Sequence, residues 1–263
     1  MNVLLFDLET TGTNPEEARI IQFSFHMIPF SEGNLDYEAE GYYTKTALVN
    51  PKMTIPVDTV AVHGITDEMV ADKPGFSTYA PELLEWIHQA DAIGGYNNRT
   101  YDNVILEYEM GRAGIELSLR DKPCLDVFKM IKHYYNASGS LGGMVKIFLD
   151  IDMDDRAHDA DYDTHCTGLL LHEVLKRNGG IAIEDVNPTF FGDELDLGGK
   201  LSYNEEGEVV FNFGKYEYKR TGKTLIDVVA IDAGYLEWMY KQDFPADFKG
   251  IISAALAGKV PRK

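Results

Sequence analysis

The 263-residue chain is 44% apolar, enough for one sizeable packed domain and a small second one, and its two cysteines, Cys124 and Cys166, stand in no metal-like or disulfide-like spacing. No apolar run approaches the roughly 18–20 residues of a membrane span, and the chain enters a strand without a basic leader, so no membrane association and a cytoplasmic location are expected. The formal charge of −19 argues against a nucleic-acid partner, but it lies entirely in residues 1–194, with 14 Lys and Arg against 33 Asp and Glu; residues 195–263 hold 10 against 10. Carboxylates that hold metal ions bind phosphates locally through those ions, so the charge weakens that partner without excluding it.

Val3, Leu4, Leu5 and Phe6 read as a strand hidden on both faces, followed at once by Asp7 and Glu9. Side chains at i and i+2 of a strand point the same way, so the two carboxylates converge on one spot. Their repulsion calls for a cation, and two oxygen ligands on one rigid element suit a hard divalent ion, Mg²⁺ or Mn²⁺. Residues 18–30 and 41–51 have strand character with a turn between them, predicting a three-strand antiparallel meander. Residues 66–90 read as two helices, the second from about 76, and 91–97 as a short strand.

A helix over 102–111 then delivers a third carboxylate, Asp102, from its first turn, where an acidic residue also favours the helix dipole. Helices are expected at 124–135 and 140–151, and a long one at 159–177, ended by Asn178, Gly179 and Gly180. His158 and Asp163 are five residues apart, about 140° around a helix, so His158 is placed just before the helix, reaching over a site that Asp163 enters from the first turn.

Residues 181–194 show little periodicity and read as a surface linker. Beyond it a strand is expected over 208–216 and helices over 222–232, 234–242 and 245–258, the last opened by Pro245. The order of elements predicts an α/β fold with a mixed sheet over residues 1–180, then the linker 181–194, and a small α+β module over 195–263.

These residues resemble the DnaQ-like, or DEDDh, 3′–5′ exonucleases of the ribonuclease H-like fold. "DLETTG" matches the first motif, Asp102 in "NNRTYD" the second, and "HDADYD" the third through His158, Ala160 and Asp163; "VNP", "AVHGITDEMV" and "CLDVFK" match in support. The tyrosine-type branch would place Tyr at position 159, which is Asp159, so the histidine branch is favoured; on composition alone Asp159 and Asp161 rival Asp163 as the fourth ligand, and the family spacing selects Asp163, with Asp159 as a helix cap. Departures from the family pattern are Asn97 or Tyr96 where many relatives have His, and Tyr101 in place of the usual Phe.

The resemblance implies two divalent cations, Mg²⁺ or Mn²⁺, held by Asp7, Glu9, Asp102 and Asp163, with His158 as general base. It also implies that Thr10, Thr11, His63 and Asn98 lie beside the 3′-terminal nucleotide, with a loop-ordering role as the alternative for His63. The partner implied is DNA, with single-stranded or frayed 3′ ends preferred and 5′-mononucleotides as products. RNA hydrolysis and a catalytically silent binding or polymerase-associated protein are the alternatives. Within that family the chain is most similar to exodeoxyribonuclease X-like and DNA polymerase III epsilon-like proteins, and its C-terminal 69 residues resemble the C-terminal module of the exodeoxyribonuclease X-like ones in "FNFGKY", "GKT" and "GYLEWMYKQDFP". There Phe213, Lys215, Tyr216, Lys219, Arg220 and Lys223 interleave aromatics with cations as a strand-binding surface would, or else the aromatics form a core. Trp238 reads as a core residue.

Overall fold

The apolar run at the N-terminus is the middle of a six-stranded mixed sheet. A computed structural model describes residues 1–263 apart from 121, 154–157, 197, 243 and 245, so Pro245, read above as opening a helix, lies outside the described residues. The chain forms two compact units, Met1–Phe190 and Phe191–Lys263.

In the first unit β1 (Asn2–Thr10) pairs antiparallel with β2 (Ile20–Ser31), which also pairs with β3 (Asn34–Leu35) and β4 (Tyr43–Leu48); this is the expected meander. Helices α1 (Val57–His63), α2 (Asp67–Val70) and α3 (Ala80–Gln89) lead to β5 (Ala92–Gly95), and α4 (Asp102–Arg112) leads to β6 (Cys124–Asp126); β5 and β6 add parallel to β1. Next come α5 (Val127–Tyr135), α6 (Leu141–Leu149), α7 (Ala160–Arg177) and α8 (Ile183–Phe191). The odd residues of β1, Val3 and Leu5, face the α7 residues Cys166, Leu170 and Val174 in one core. On the other side Phe6 meets Phe25, with ring centroids 5.1 Å apart. Burying each such side chain contributes about 1.5–3 kcal/mol. α7 comes this close only because residue 168 is Gly: a Cβ there would stand 2.3 Å from the Tyr37 hydroxyl and 3.2 Å from Leu5 Cδ1.

Two elements differ from the sequence pattern and a third has no signal in it. Residues 124–126, read as the start of a helix, form β6, because pairing with Ile93–Gly95 outweighs their local helical pattern. Helix α1 was not foreseen; it is short and none of its residues is buried, so it leaves no apolar stripe. Most of the stretch read as a surface linker is α8, with Ile183 and Val186 in the core of the first unit. Its internal Pro188 obscured the periodicity. Asn187 Oδ1 accepts the Cys124 N–H (3.0 Å) and its amide donates to the Lys122 carbonyl (3.1 Å), so this helix covers the β6 edge of the sheet.

In the second unit β7 (Leu201–Tyr203) and β8 (Val209–Phe211) form an antiparallel hairpin, followed by α9 (Tyr218–Thr221), α10 (Leu225–Lys241) and α11 (Ala246–Leu256). Two helices were expected within 222–242. The chain breaks between them at Asp232 (φ −154°, ψ 58°), which interrupts α10. Phe213 packs with Phe244 and Phe248, as the core reading required, but Trp238 is 52% exposed and does not belong to the core. Among the described residues no helix is long and apolar enough to cross a membrane.

Candidate active site

Asp7 and Glu9 lie on the same β1 face as Val3 and Leu5, one and two steps beyond the point where α7 covers the strand. Their cross-strand partners on β2 are Ser24 and Gln22. Paired β5 residues extend only as far as Leu5 and Gly94, so the backbone of Leu8 runs on past the end of β5. Its N–H donates instead to Asp102 Oδ1 at 3.2 Å, which brings the first residue of α4 to the strand.

A carboxylate overlooked as a positioning group holds the turn that carries Asp102. Asp126, wholly buried at the end of β6, caps α5 by accepting the Lys129 N–H (3.2 Å) and also accepts the N–H groups of Asn97 (3.1 Å) and Arg99 (3.4 Å). Gly95 lets this turn close, since a Cβ there would lie 2.7 Å from Asn98 Cβ and 2.9 Å from the Phe6 carbonyl. A matching clamp, equally unforeseen, is Gln22: its Oε1 accepts the Ala160 N–H (3.1 Å) and its amide donates to Asp159 Oδ2 (3.4 Å). Asp159 caps α7 as expected, accepting the N–H groups of Asp161 and Tyr162. Gln22 carries no local signal that separates it from an ordinary polar residue, and Asp126, though it stands in "CLDVFK" at a helix start, carries none for its bonds to Asn97 and Arg99.

The first turn of α7 delivers Asp163, and His158 precedes the helix, as its spacing required. The His158 N–H donates to Asp163 Oδ2 at 3.2 Å, and its backbone is left-handed (φ 68°), an uncommon state for a non-glycine residue. Glu9, His158 and Asp163 each offer a ligand atom within 4.8 Å of the other two. Asp163 Oδ1 is buried and has no hydrogen-bond partner among the described residues.

Electrostatics follow from this crowding. Burial, then the charges of Asp102, Glu9, Asp163 and Asp159, drives the Asp7 carboxyl well above its ordinary range. Burial followed by Asp163, Asp102 and Asp159 pushes Glu9 up to about 8. Asp102 rises to about 7 and Asp163 to about 6, both mainly through burial and both held back in part by backbone N–H donors. No Lys or Arg among the described residues offsets the four carboxylates. Oxygen donors from three elements, an unpartnered buried oxygen and uncompensated charge fit a hard divalent cation.

His63 ends α1, and its Nδ1 accepts the Ile65 N–H at 3.0 Å, so the neutral ring carries its proton on Nε2. That Nε2 is buried without a partner, and the ring lies close enough to His158 to feel its charge; burial and then that charge lower its pKa. Thr10, Thr11 and Asn98 make hydrogen bonds within the protein. Thr10 Oγ1 bonds the Gly12 carbonyl (2.9 Å) and the Tyr101 hydroxyl (2.6 Å), and Thr11 Oγ1 accepts the Arg19 N–H (3.0 Å). Asn98 is fully buried and donates to Asn103 Oδ1 at 3.0 Å. All three side chains hold the framework around the carboxylates.

Residues 4–171 match the Exonuclease family, so the chain belongs to it, and residues 211–244 match the exodeoxyribonuclease X-like C-terminal family. The chain is 27% identical over 197 residues to exodeoxyribonuclease 10 of Escherichia coli, covering 73% of this chain and 74% of that protein. It is 25% identical over 176 residues to the 3′–5′ exonuclease DinG of Bacillus subtilis, covering 66% of this chain but only 18% of that protein. Among solved structures it is similar to E. coli exonuclease I in complex with single-stranded DNA (TM-score 0.56, 20% identity, 70% of this chain and 42% of that one). That likeness identifies the ribonuclease H-like fold, a mixed sheet flanked by helices.

Proposed function

We propose that the chain is a metal-dependent 3′–5′ exonuclease that removes 5′-mononucleotides from single-stranded or frayed DNA ends. The observation that carries this reading is the convergence of Asp7, Glu9, Asp102 and Asp163 from β1, α4 and α7 with no Lys or Arg among the described residues paired to them and only His158 beside Asp163. Two divalent cations, Mg²⁺ or Mn²⁺, held by these carboxylates would neutralise the scissile phosphate and acidify water. His158, exposed beside Asp163, takes the proton from the attacking water, and the left-handed backbone held by its N–H bond sets the height of its ring over the site. His63 supplies a neutral Nε2–H donor toward a phosphate or sugar oxygen of the terminal nucleotide. Its Nδ1 bond fixes the ring before substrate arrives, so little reorganisation is required. Thr10 and Thr11 keep the loop after β1 closed, which leaves room for the strand end beside Glu9.

The test incubates the purified chain with matched 3′- and 5′-labelled single-stranded DNA and RNA, with Mg²⁺, Mn²⁺ or chelator, beside Asp7→Ala. Mononucleotides released from the 3′ end only with metal, and not by the variant, are the expected result, and the relative rates rank the two sugars. Equal cleavage by Asp7→Ala would remove the assignment.

A further inference from the structure

The C-terminal unit contains an ordered aromatic array whose inner rings, Tyr216 and Tyr235, pack against its core and whose outer ring, Trp238, does not. Beyond the break at Asp232, Tyr235 and Trp238 are three residues apart on one helical face, with ring centroids 5.7 Å apart and planes within 19° of parallel. Tyr216 meets the Tyr235 ring edge-on at 5.4 Å. Asp232 fixes the array from below: its Oδ2 accepts Lys215 Nζ at 2.7 Å and the Tyr216 hydroxyl at 2.8 Å, which leaves the ammonium 5.0 Å and 5.7 Å from the Tyr216 and Tyr235 rings.

Leu236 and Met239 of this half-helix are buried in the core and Tyr235 packs against it, while Trp238 leaves 52% of its surface in solvent. A tryptophan held rigidly by a parallel stack, yet exposed on its far side, is explained by a ligand with a flat apolar face rather than by packing. The surroundings select among such ligands. Exposed Lys241 follows Trp238 by three residues, and residues 195–263 balance 10 basic against 10 acidic groups, unlike the strongly acidic first part of the chain. Phosphates are therefore tolerated here, and every nucleobase has a face that stacks.

We propose that Trp238, backed by Tyr235 and Lys215, is a stacking platform for bases of a single-stranded nucleic acid, with Lys241 taking a neighbouring phosphate. The proposal rests on the nucleic-acid reading of the first unit, and names a second contact on the same polymer, separate from the carboxylates. Sequence-tolerant binding follows from it, because stacking does not read base edges.

The experiment uses the full chain with chelator present, so that binding is read without hydrolysis. Trp86→Phe leaves Trp238 as the sole tryptophan, Trp86 being the edge-on partner of Tyr43 in the first unit. Titration with oligothymidylate of about twenty nucleotides, longer than a single site of about 4–16, should quench Trp238 emission saturably, in step with the anisotropy of a labelled strand. In the otherwise unaltered chain, Trp238→Ala should raise Kd about tenfold, Trp238→Phe should recover most of the loss, and Trp238→Leu, apolar but without a flat ring, should bind as weakly as Trp238→Ala although its unfolding temperature matches that of Trp238→Phe. Strand binding with unchanged emission, no strand binding, or wild-type affinity in Trp238→Ala would overturn the platform. So would an emission shift that follows protein concentration and ignores DNA, since a second copy would then cover the face. Mg²⁺-dependent degradation in parallel keeps the two readings apart: quenching without degradation leaves the platform standing and removes the nuclease, and the converse result does the opposite.

Discussion

Asp161 and Asp163 stand two residues apart on the first turn of α7, and the fold treats them in opposite ways. Asp161 Oδ1 receives three partners from β2 and β4: Ser24 Oγ at 3.1 Å, Thr46 Oγ1 at 2.7 Å and His26 Nε2 at 3.0 Å. Those bonds outweigh its burial, and its pKa falls below the ordinary value. Asp163 receives one backbone N–H on Oδ2 and, among the described residues, nothing on its buried Oδ1, and its pKa rises to about 6. A carboxylate supplied with donors anchors a helix to a sheet; one deprived of them is kept ready for a charge from outside the chain. The same helix turn therefore serves position and chemistry through different side chains.

The sharpest way to break this comparison is a pair of near-isosteric substitutions. Asp163→Asn should lower the metal-dependent nuclease rate by about 10³-fold or more, since it removes a charge on which the cation site depends. Without metal it should leave the melting temperature unchanged or raise it, because a carboxyl that resists ionisation has been replaced by a neutral group. Asp161→Asn should do the reverse, costing about 1 kcal/mol of stability, the low end for charged bonds because its side chain is 53% exposed, with a far smaller effect on rate. Thermal unfolding in chelator and initial rates in Mg²⁺ read both. Parallel responses of the two variants would remove the distinction.

A pH series sharpens it further. In chelator, Glu9 folded titrates near 8 against an ordinary 4.5, so between those values the folded protein binds more protons than the unfolded chain. Stability then falls as pH rises through that window, and Asp102 near 7 and Asp163 near 6 act in the same direction. Asp161, with a lowered folded pKa, contributes stability above its ordinary value and loses it as pH falls through the folded one. The metal-free melting temperature should therefore drop from about pH 5 to 8, and saturating Mg²⁺ should flatten that limb. A metal-free profile that rises across the window would contradict the carboxylate cluster.

How far the site could be read beforehand follows from how local each signal is. The convergence of Asp7 and Glu9 was legible because a two-residue period on an apolar strand fixes their direction, whereas helix pattern placed Asp102, Asp163 and His158 at helix starts and only the family resemblance singled them out from Asp159 and Asp161. Asp126 and Gln22 were not legible, since their importance is in bonds to backbone 27 and 138 residues away. Strand β6 eluded the reading for the same reason: three residues carry no period, and only β5 makes them a strand. The burial of Asn98 and its bond to Asn103 were equally unreadable, since no local pattern gives the depth of a loop residue. Trp238 shows the limit of composition, which cannot tell which face of a broken helix meets the core.

The smallest effect concerns a residue in which the chain departs from the pattern it resembles. Tyr101 stands at the residue before α4, and its hydroxyl reaches the Gly12 carbonyl and Thr10 Oγ1, both at 2.6 Å. A Phe ring could fill the same space but would leave the Gly12 carbonyl without that donor. Burial raises the Tyr101 pKa to about 12, so the hydroxyl remains a donor throughout the working pH range. Tyr101→Phe should accordingly cost about 1 kcal/mol in unfolding, with the loop after β1 loosened and the carboxylates left in place. If substrate is held beside that loop, KM should rise several-fold while kcat changes little. A fall in kcat with KM unmoved would instead place the Tyr101 hydroxyl on the reacting groups, and the loop after β1 would lose its role in holding the strand end.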